Sequence, residues 1–188
     1  MRRILGAAGR AGPGCPARPG AAAARFVAAR ARTKLTPMEA PDPIVISVDL
    51  PASPETAFGL FASRFGDWWP VTTHSLSRDA ATVCRIQCET GGAVEERSPD
   101  GVWHRWGNVD IYEPGRRLRF SWHPGREPGS AQWVDVTFAP LEPGCRVTLT
   151  HGGWEALGEI APILRREYAA GWEFVLGEAF AGFASRGD

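Results

Sequence analysis

Between residues 82 and 152 the chain is punctuated by six turn dipeptides: Gly91-Gly92, Asp100-Gly101, Pro114-Gly115, Pro124-Gly125, Pro128-Gly129 and Pro143-Gly144. Such pairs reverse the backbone at little steric cost, and short β-rich runs lie between them. Within the runs apolar and polar residues alternate. Leu118, Phe120 and Trp122 share one face against Arg117, Arg119 and Ser121. Val134, Val136 and Phe138 oppose Trp133, Asp135 and Thr137. Cys145, Val147, Leu149 and His151 oppose Arg146, Thr148 and Thr150, and Cys84, Ile86 and Cys88 form a further apolar face. A period of two with one apolar face predicts a meander of about six antiparallel strands, covered on one side only.

The flanking segments supply the cover. Ile44–Leu50 alternates like a strand. Ser53-Pro54-Glu55 then opens a helix: serine caps, proline sits at the first helical position, and an acid occupies the first turn. Ala57, Phe58, Phe61 and Phe65 follow at near-helical spacing, and Gly66 and Pro70 end the run, with Asp67-Trp68-Trp69 between them. From Glu159 to Ser185, Ile160, Leu164, Tyr168, Trp172, Val175, Leu176, Ala179, Phe180 and Phe183 trace an apolar stripe. Pro162 places the start of that helix near Ala161. Gly171, Gly177 and Gly182 weaken it and permit close approach or room for something else. The expected fold class is α+β: a curved antiparallel sheet of six to seven strands around a long C-terminal helix, with two short helices after the first strand. A sheet wider than its helix is expected to leave a cavity between them.

Charge divides the chain. The net charge is zero, yet residues 1–40 hold eight basic residues against the single acid Glu39. The remaining residues carry thirteen basic and twenty acidic side chains, an acidic body poorly matched to nucleic acid or anionic lipid. The first 40 residues, rich in Ala, Gly, Pro and Arg, are expected to be a disordered tail preceding a domain over 41–188. Ala21 to Ala31 has the makings of a short basic helix but little apolar surface to bury. Three readings of the tail stand open: an organelle transit segment, a secretory signal, or a start upstream of a true initiator at Met38. A cytoplasmic location is expected, with organelle targeting as the alternative. No apolar run reaches the roughly 20 residues of a membrane-spanning helix.

Several motifs resemble the START-like, or SRPBCC, superfamily of helix-grip folds. They are the Ser53-Pro54-Glu55 opening, the segment Phe65-Gly66-Asp67-Trp68-Trp69-Pro70, and the closing helix. Gly91-Gly92-Ala93-Val94-Glu95-Glu96-Arg97, Asp100-Gly101, Trp106-Gly107-Asn108-Val109, Glu113-Pro114, Arg117-Leu118 and Trp122 are similar to the branch related to the activator of heat-shock protein 90 ATPase. Thr150-His151-Gly152-Gly153-Trp154 and Tyr168-Ala169-Ala170-Gly171-Trp172 match that branch too, so the resemblance spans roughly residues 43–184. It implies a seven-stranded sheet gripping a long helix over an apolar cavity. Its members include lipid carriers, polyketide cyclases and aromatases, and plant ligand binders, so fold does not set function. The chaperone activators of eukaryotes carry an additional N-terminal docking domain, which the 40 residues ahead of this domain do not resemble.

Alternation places Glu96 on the face of Val94, towards the cavity or its mouth. A carboxylate there is either a general acid/base or ligand anchor, or is satisfied by an indole, an Arg or backbone. His151 shares a face with Leu149; it is a proton shuttle opposite Glu96 or a strand-end residue bonded to backbone. His74 lies in a loop that borders the mouth or is simply exposed. Eight tryptophans suit a pocket for aromatic ligands, or else core and rim packing. The ligand-binding candidates are Trp68, Trp69, His74, Glu96, Trp106, Phe120, Trp122, His151, Trp154, Tyr168 and Trp172, with Trp106 ambiguous because a bulge at Gly107 would break the alternation. No metal and no cofactor is expected, since ligand-spaced clusters, nucleophile elbows and phosphate loops are missing. Cys84 and Cys88, four residues apart on a strand, would be separated by ~13 Å, too far for a bridge or a shared metal. The functional expectation is a carrier or sensor of a small hydrophobic or aromatic molecule. The alternatives are a cofactor-free cyclase using Glu96 and His151, and a protein-interaction role, including regulation of the chaperone ATPase.

Overall fold

The computed structural model describes residues 40–186. The basic tail with Cys15, the Ala21–Ala31 stretch and Met38 lies outside the described residues. Strand β1 (Ile44–Leu50) is followed by α1 (Pro54–Ala62), α2 (Phe65–Trp68) and α3 (Val71–His74). The meander runs β2 (Val83–Ile86), β3 (Ala93–Arg97), β4 (Trp103–Glu113), β5 (Arg117–Trp122), β6 (Gln132–Pro140) and β7 (Cys145–Gly152). Helix α4 (Ala161–Phe174) continues through a π-helical stretch, Val175–Phe180, into α5 (Ala181–Ala184).

The seven strands form one antiparallel sheet in the order β1-β7-β6-β5-β4-β3-β2. Only β1 is displaced from sequence order; it pairs with β7, with Val48 opposite Val147. The sheet bends along β4. Its first half pairs with β3 and its second half with β5, and the register shifts at Val94/Glu95 and at Val109/Ile111. Such irregularities tilt a strand and sharpen its twist. Gly107 sits at the bend, where a Cβ would collide with the carbonyl oxygen of Ser121. Close passage of two backbones therefore requires glycine there.

The faces follow the alternation. Leu118, Phe120, Trp122, Val134, Val136, Phe138, Val147 and Leu149 are all buried. The opposite face is polar and laced with pairs such as Arg117 with Asp135 and Arg146 with Asp49. Ser53 caps α1 by accepting from the amide of Thr56 at 3.2 Å, and Pro54 occupies the first helical position. Phe58 and Phe61 descend from α1 onto Phe138, and Phe61 also meets Phe180 beyond α4.

Three expectations require correction. His74 is the last residue of a short helix rather than part of a loop, because the turn after Pro70 closes with the His74 amide donating to the Pro70 carbonyl at 2.8 Å. Cys88 does not share the face of Cys84 and Ile86. β2 ends at Ile86, the chain turns towards Gly92, and the Cys88 side chain is exposed. Ile160 is off the apolar stripe and half-exposed. It ends a 3₁₀ stretch, Trp154–Ile160, kinked where Gly158 takes φ 55°, so its phase does not match that of α4.

Candidate functional site

Under the concave face lies a cavity of about 250 Å³ between the sheet, α3 and α4. An engineered void of ~150 Å³ already admits benzene, and drug-sized sites begin near 300 Å³. A one- or two-ring compound fits this space. The walls are indoles: Trp69 before α3, Trp106 on β4, Trp122 on β5 and Trp172 on α4. Their ring centroids stand 5.4 to 6.0 Å apart in the contacting pairs, and every pair is inclined rather than stacked. Inclined rings leave π faces and edges available to a guest while still packing on one another.

Each indole is held differently. The Trp69 N–H donates to the carbonyl of His74 at 2.8 Å, tying the start of α3 to its end. The Trp172 N–H donates to Nδ1 of His151 at 2.9 Å. The N–H groups of Trp106 and Trp122 are buried and find no acceptor among the described residues. A buried donor left without an acceptor costs about 1–3 kcal/mol. The register shift opposite Trp106 settles its ambiguity, since the side chain is buried on the cavity side.

The mouth is built by Thr73, His74, Ser75, Leu76 and Arg78 from the α3 side and by Pro124 and Tyr168 from the other. Glu96 holds this mouth from behind. Its carboxylate, wholly buried, accepts the amide of Leu76 at 2.7 Å and that of Ser77 at 3.1 Å. Arg78 takes the left-handed conformation, φ 50°, rare for a side chain with a Cβ, and its amide donates to the Ser75 hydroxyl at 2.8 Å. His74 stacks on Phe174 and donates to or accepts from Thr73. Burial, and then the nearby Arg78 guanidinium, lower its pKa, which favours neutral imidazole.

Six of the eleven residues proposed for the site from sequence line this cavity: Trp69, His74, Trp106, Trp122, Tyr168 and Trp172. The other five lie outside its lining. Trp68 turns its N–H to the carbonyl of Phe61, and Phe120 packs in the sheet against Trp122. Glu96 is one layer behind the mouth. His151 and Trp154 form a second aromatic layer, their rings 4.4 Å apart, with Tyr168 at 4.9 Å from His151. Burial, helped by the charge of Arg126, pushes the His151 imidazole down to about 3. Three strands separate β7, which carries His151, from β3, which carries Glu96.

Thr73 and Ser75 belong to the segment around His74 that the sequence offered as a possible mouth, but sequence reasoning did not place Leu76, Arg78, Pro124, Gly171 or Val175 at the cavity. Gly171 had a signal, a glycine within the apolar helix. Val175 had one as well, its place on the apolar stripe beside Trp172, whereas Leu76, Arg78 and Pro124 had none, because a loop reads alike whether or not it borders a cavity. Among the described residues no helix is long and apolar enough to cross a membrane.

A family model described as activator of Hsp90 ATPase homolog 1-like protein matches residues 51–183. The chain belongs to that family. Solved structures similar to this family member include a protein of Chromobacterium violaceum, 22% identical, with TM-score 0.54 over 77% of this chain and 98% of the other. An AHSA1-like protein from Aeromonas hydrophila is 18% identical, with TM-score 0.52 over 75% of this chain and 90% of its own. At such identities the likeness is one of fold. An anthrahydroquino-γ-pyrone synthase, solved as a complex, is 26% identical with TM-score 0.51 over 76% of this chain and 97% of its own. No match was found among curated proteins.

Proposed function

We propose that this family member binds a small hydrophobic or aromatic molecule between its sheet and α4, acting as a carrier or sensor. The observation behind this reading is the cavity of about 250 Å³ walled by four tryptophans. Covering apolar ligand surface contributes roughly 25 cal/mol per Å² before ordering costs are subtracted, and inclined indoles present that surface as flat faces.

Likeness to the γ-pyrone synthase supports a second reading, a cofactor-free cyclase-type enzyme. The geometry favours the binder. His151 gives its Nδ1 lone pair to Trp172 and is a weak base, with its imidazole pushed down to about 3. Both Glu96 oxygens are engaged by backbone amides. A proton shuttle needs groups that reach the reacting atoms and titrate near the working pH.

Native mass spectrometry of the protein purified from its own host, followed by organic extraction, tests the proposal. A co-purifying apolar compound is expected, together with thermal stabilisation when the purified compound is added back. Recovery of that compound unchanged after incubation supports a carrier; its consumption supports the enzyme. A clean apo mass, with no stabilisation by a panel of one- and two-ring aromatics, would sink the binding proposal.

A further inference from the structure

The chemical class of the ligand can be narrowed, given the proposed binding role. We infer that the cavity takes an aromatic compound bearing an anionic oxygen group, a carboxylate or a phenolate, and rejects cations.

No Asp or Glu is among the described residues lining the cavity, although the body of the chain carries an excess of acids. Arg78 is the one formal charge in that lining, and among the described residues no carboxylate pairs with it. Glu96 is the acid beneath the mouth, and its two oxygens are engaged by the Leu76 and Ser77 amides. His74 is neutral over most of the physiological range and brings no second charge.

Apart from the Thr73 and Ser75 hydroxyls and the His74 imidazole, which can accept as well as donate, the polar groups around the cavity are donors. Trp106 and Trp122 each carry a buried N–H without an acceptor. The Tyr168 hydroxyl accepts from Nη1 of Arg126 at 3.2 Å, leaving its own proton to be donated. Arg126 is itself rich in donors. It gives a second hydrogen bond to Gln132 at 2.6 Å, and its Nε is buried without an acceptor. A surround with surplus donors, the Arg78 guanidinium at the mouth and the Arg126 guanidinium behind Tyr168 complements acceptor oxygens and negative charge. Four indoles also invite a cation to their π faces. Here such a cation would meet the Arg78 charge at the mouth with no lining carboxylate to balance it, so like-charge repulsion decides against it.

Three probes that share one naphthalene ring system test the inference by quenching of tryptophan fluorescence: 2-naphthoate, 2-methylnaphthalene and 2-naphthylmethylammonium. Naphthoate is expected to bind at least tenfold tighter than the hydrocarbon, and the ammonium compound more weakly than either. The naphthoate preference should shrink as salt is raised, because the Arg78 charge is exposed to screening. Arg78→Met should cut the ratio of naphthoate to hydrocarbon affinity at least fivefold. Tyr168→Phe, which keeps the ring, should lower the same ratio. Equal affinity for all three probes, or tightest binding of the ammonium compound, overturns this inference and leaves the apolar pocket standing. Failure of all three to bind overturns the binding role as well.

Discussion

The Trp172 indole N–H donates to Nδ1 of His151 across 2.9 Å, joining α4 to β7 inside the core. Trp172 also faces the cavity, so one side chain serves the ligand space with its ring and the scaffold with its nitrogen. The bond selects the tautomer. A neutral imidazole that accepts at Nδ1 carries its proton on Nε2. Protonation at Nδ1 would turn an acceptor into a second donor facing the indole.

This arrangement predicts a pH dependence of stability. His151 is held down to about 3 in the folded protein, against a usual value of 6.5. Between those values the unfolded chain binds the extra proton, so folding stability falls as pH is lowered from 6.5 towards 3 and is fully present above that window. The slope from one such group is at most about 1.4 kcal/mol per pH unit. Chemical denaturation at pH 7, 5.5 and 4.5 should show a steeper loss in the wild type than in His151→Gln. Parallel slopes would remove His151 as the cause.

Glu96→Gln replaces one of two acceptor oxygens with a donor facing a backbone amide. A loss of about 1–3 kcal/mol is expected. It should appear as a fall of several degrees in Tm and as faster hydrogen exchange at the Leu76 and Ser77 amides. Unchanged exchange there would show that the carboxylate does not hold the mouth.

Gly171→Ala should raise stability while narrowing the cavity. The added methyl would sit 3.7 Å from Nε2 of His74, an ordinary contact. Replacing a helical glycine is worth about 1 kcal/mol, or roughly 2–4 °C in a domain of this size. Gly171→Leu should instead occupy the cavity and weaken 2-naphthoate binding at least tenfold. Undiminished binding by the leucine variant would place the probe elsewhere.

Gly107→Ala should be severely destabilising, since a Cβ there runs into the Ser121 carbonyl, a backbone atom that cannot swing aside. Overpacking costs typically 1–3 kcal/mol and more against backbone. Urea unfolding reads the effect; a loss below about 1 kcal/mol would mean that β4 and β5 part easily at the bend.

Much of the architecture was legible because its determinants are local. The Ser53 cap, the Pro54 start and the alternation in β5, β6 and β7 are set by neighbours two to four residues away, and each stands as read. The faces of Trp122 and Trp172 followed from the same periodicities. Cys88 and Ile160 defeated the reading because a pattern continues past the point where the backbone turns, at the end of β2 and at Gly158.

The cavity mouth belongs to tertiary structure alone. Leu76 and Arg78 reach it because a carboxylate some 20 residues away, Glu96, accepts the amides of Leu76 and of Ser77 between them. Arg126 enters through the hydroxyl of Tyr168, 42 positions on. The sequence by itself determined the strands, the cap of α1 and the burial of Trp122 and Trp172, through short-range periodicity and propensity. Which polar groups meet around those indoles was decided by the bend of the sheet and the approach of α4, long-range contacts that no local pattern encodes.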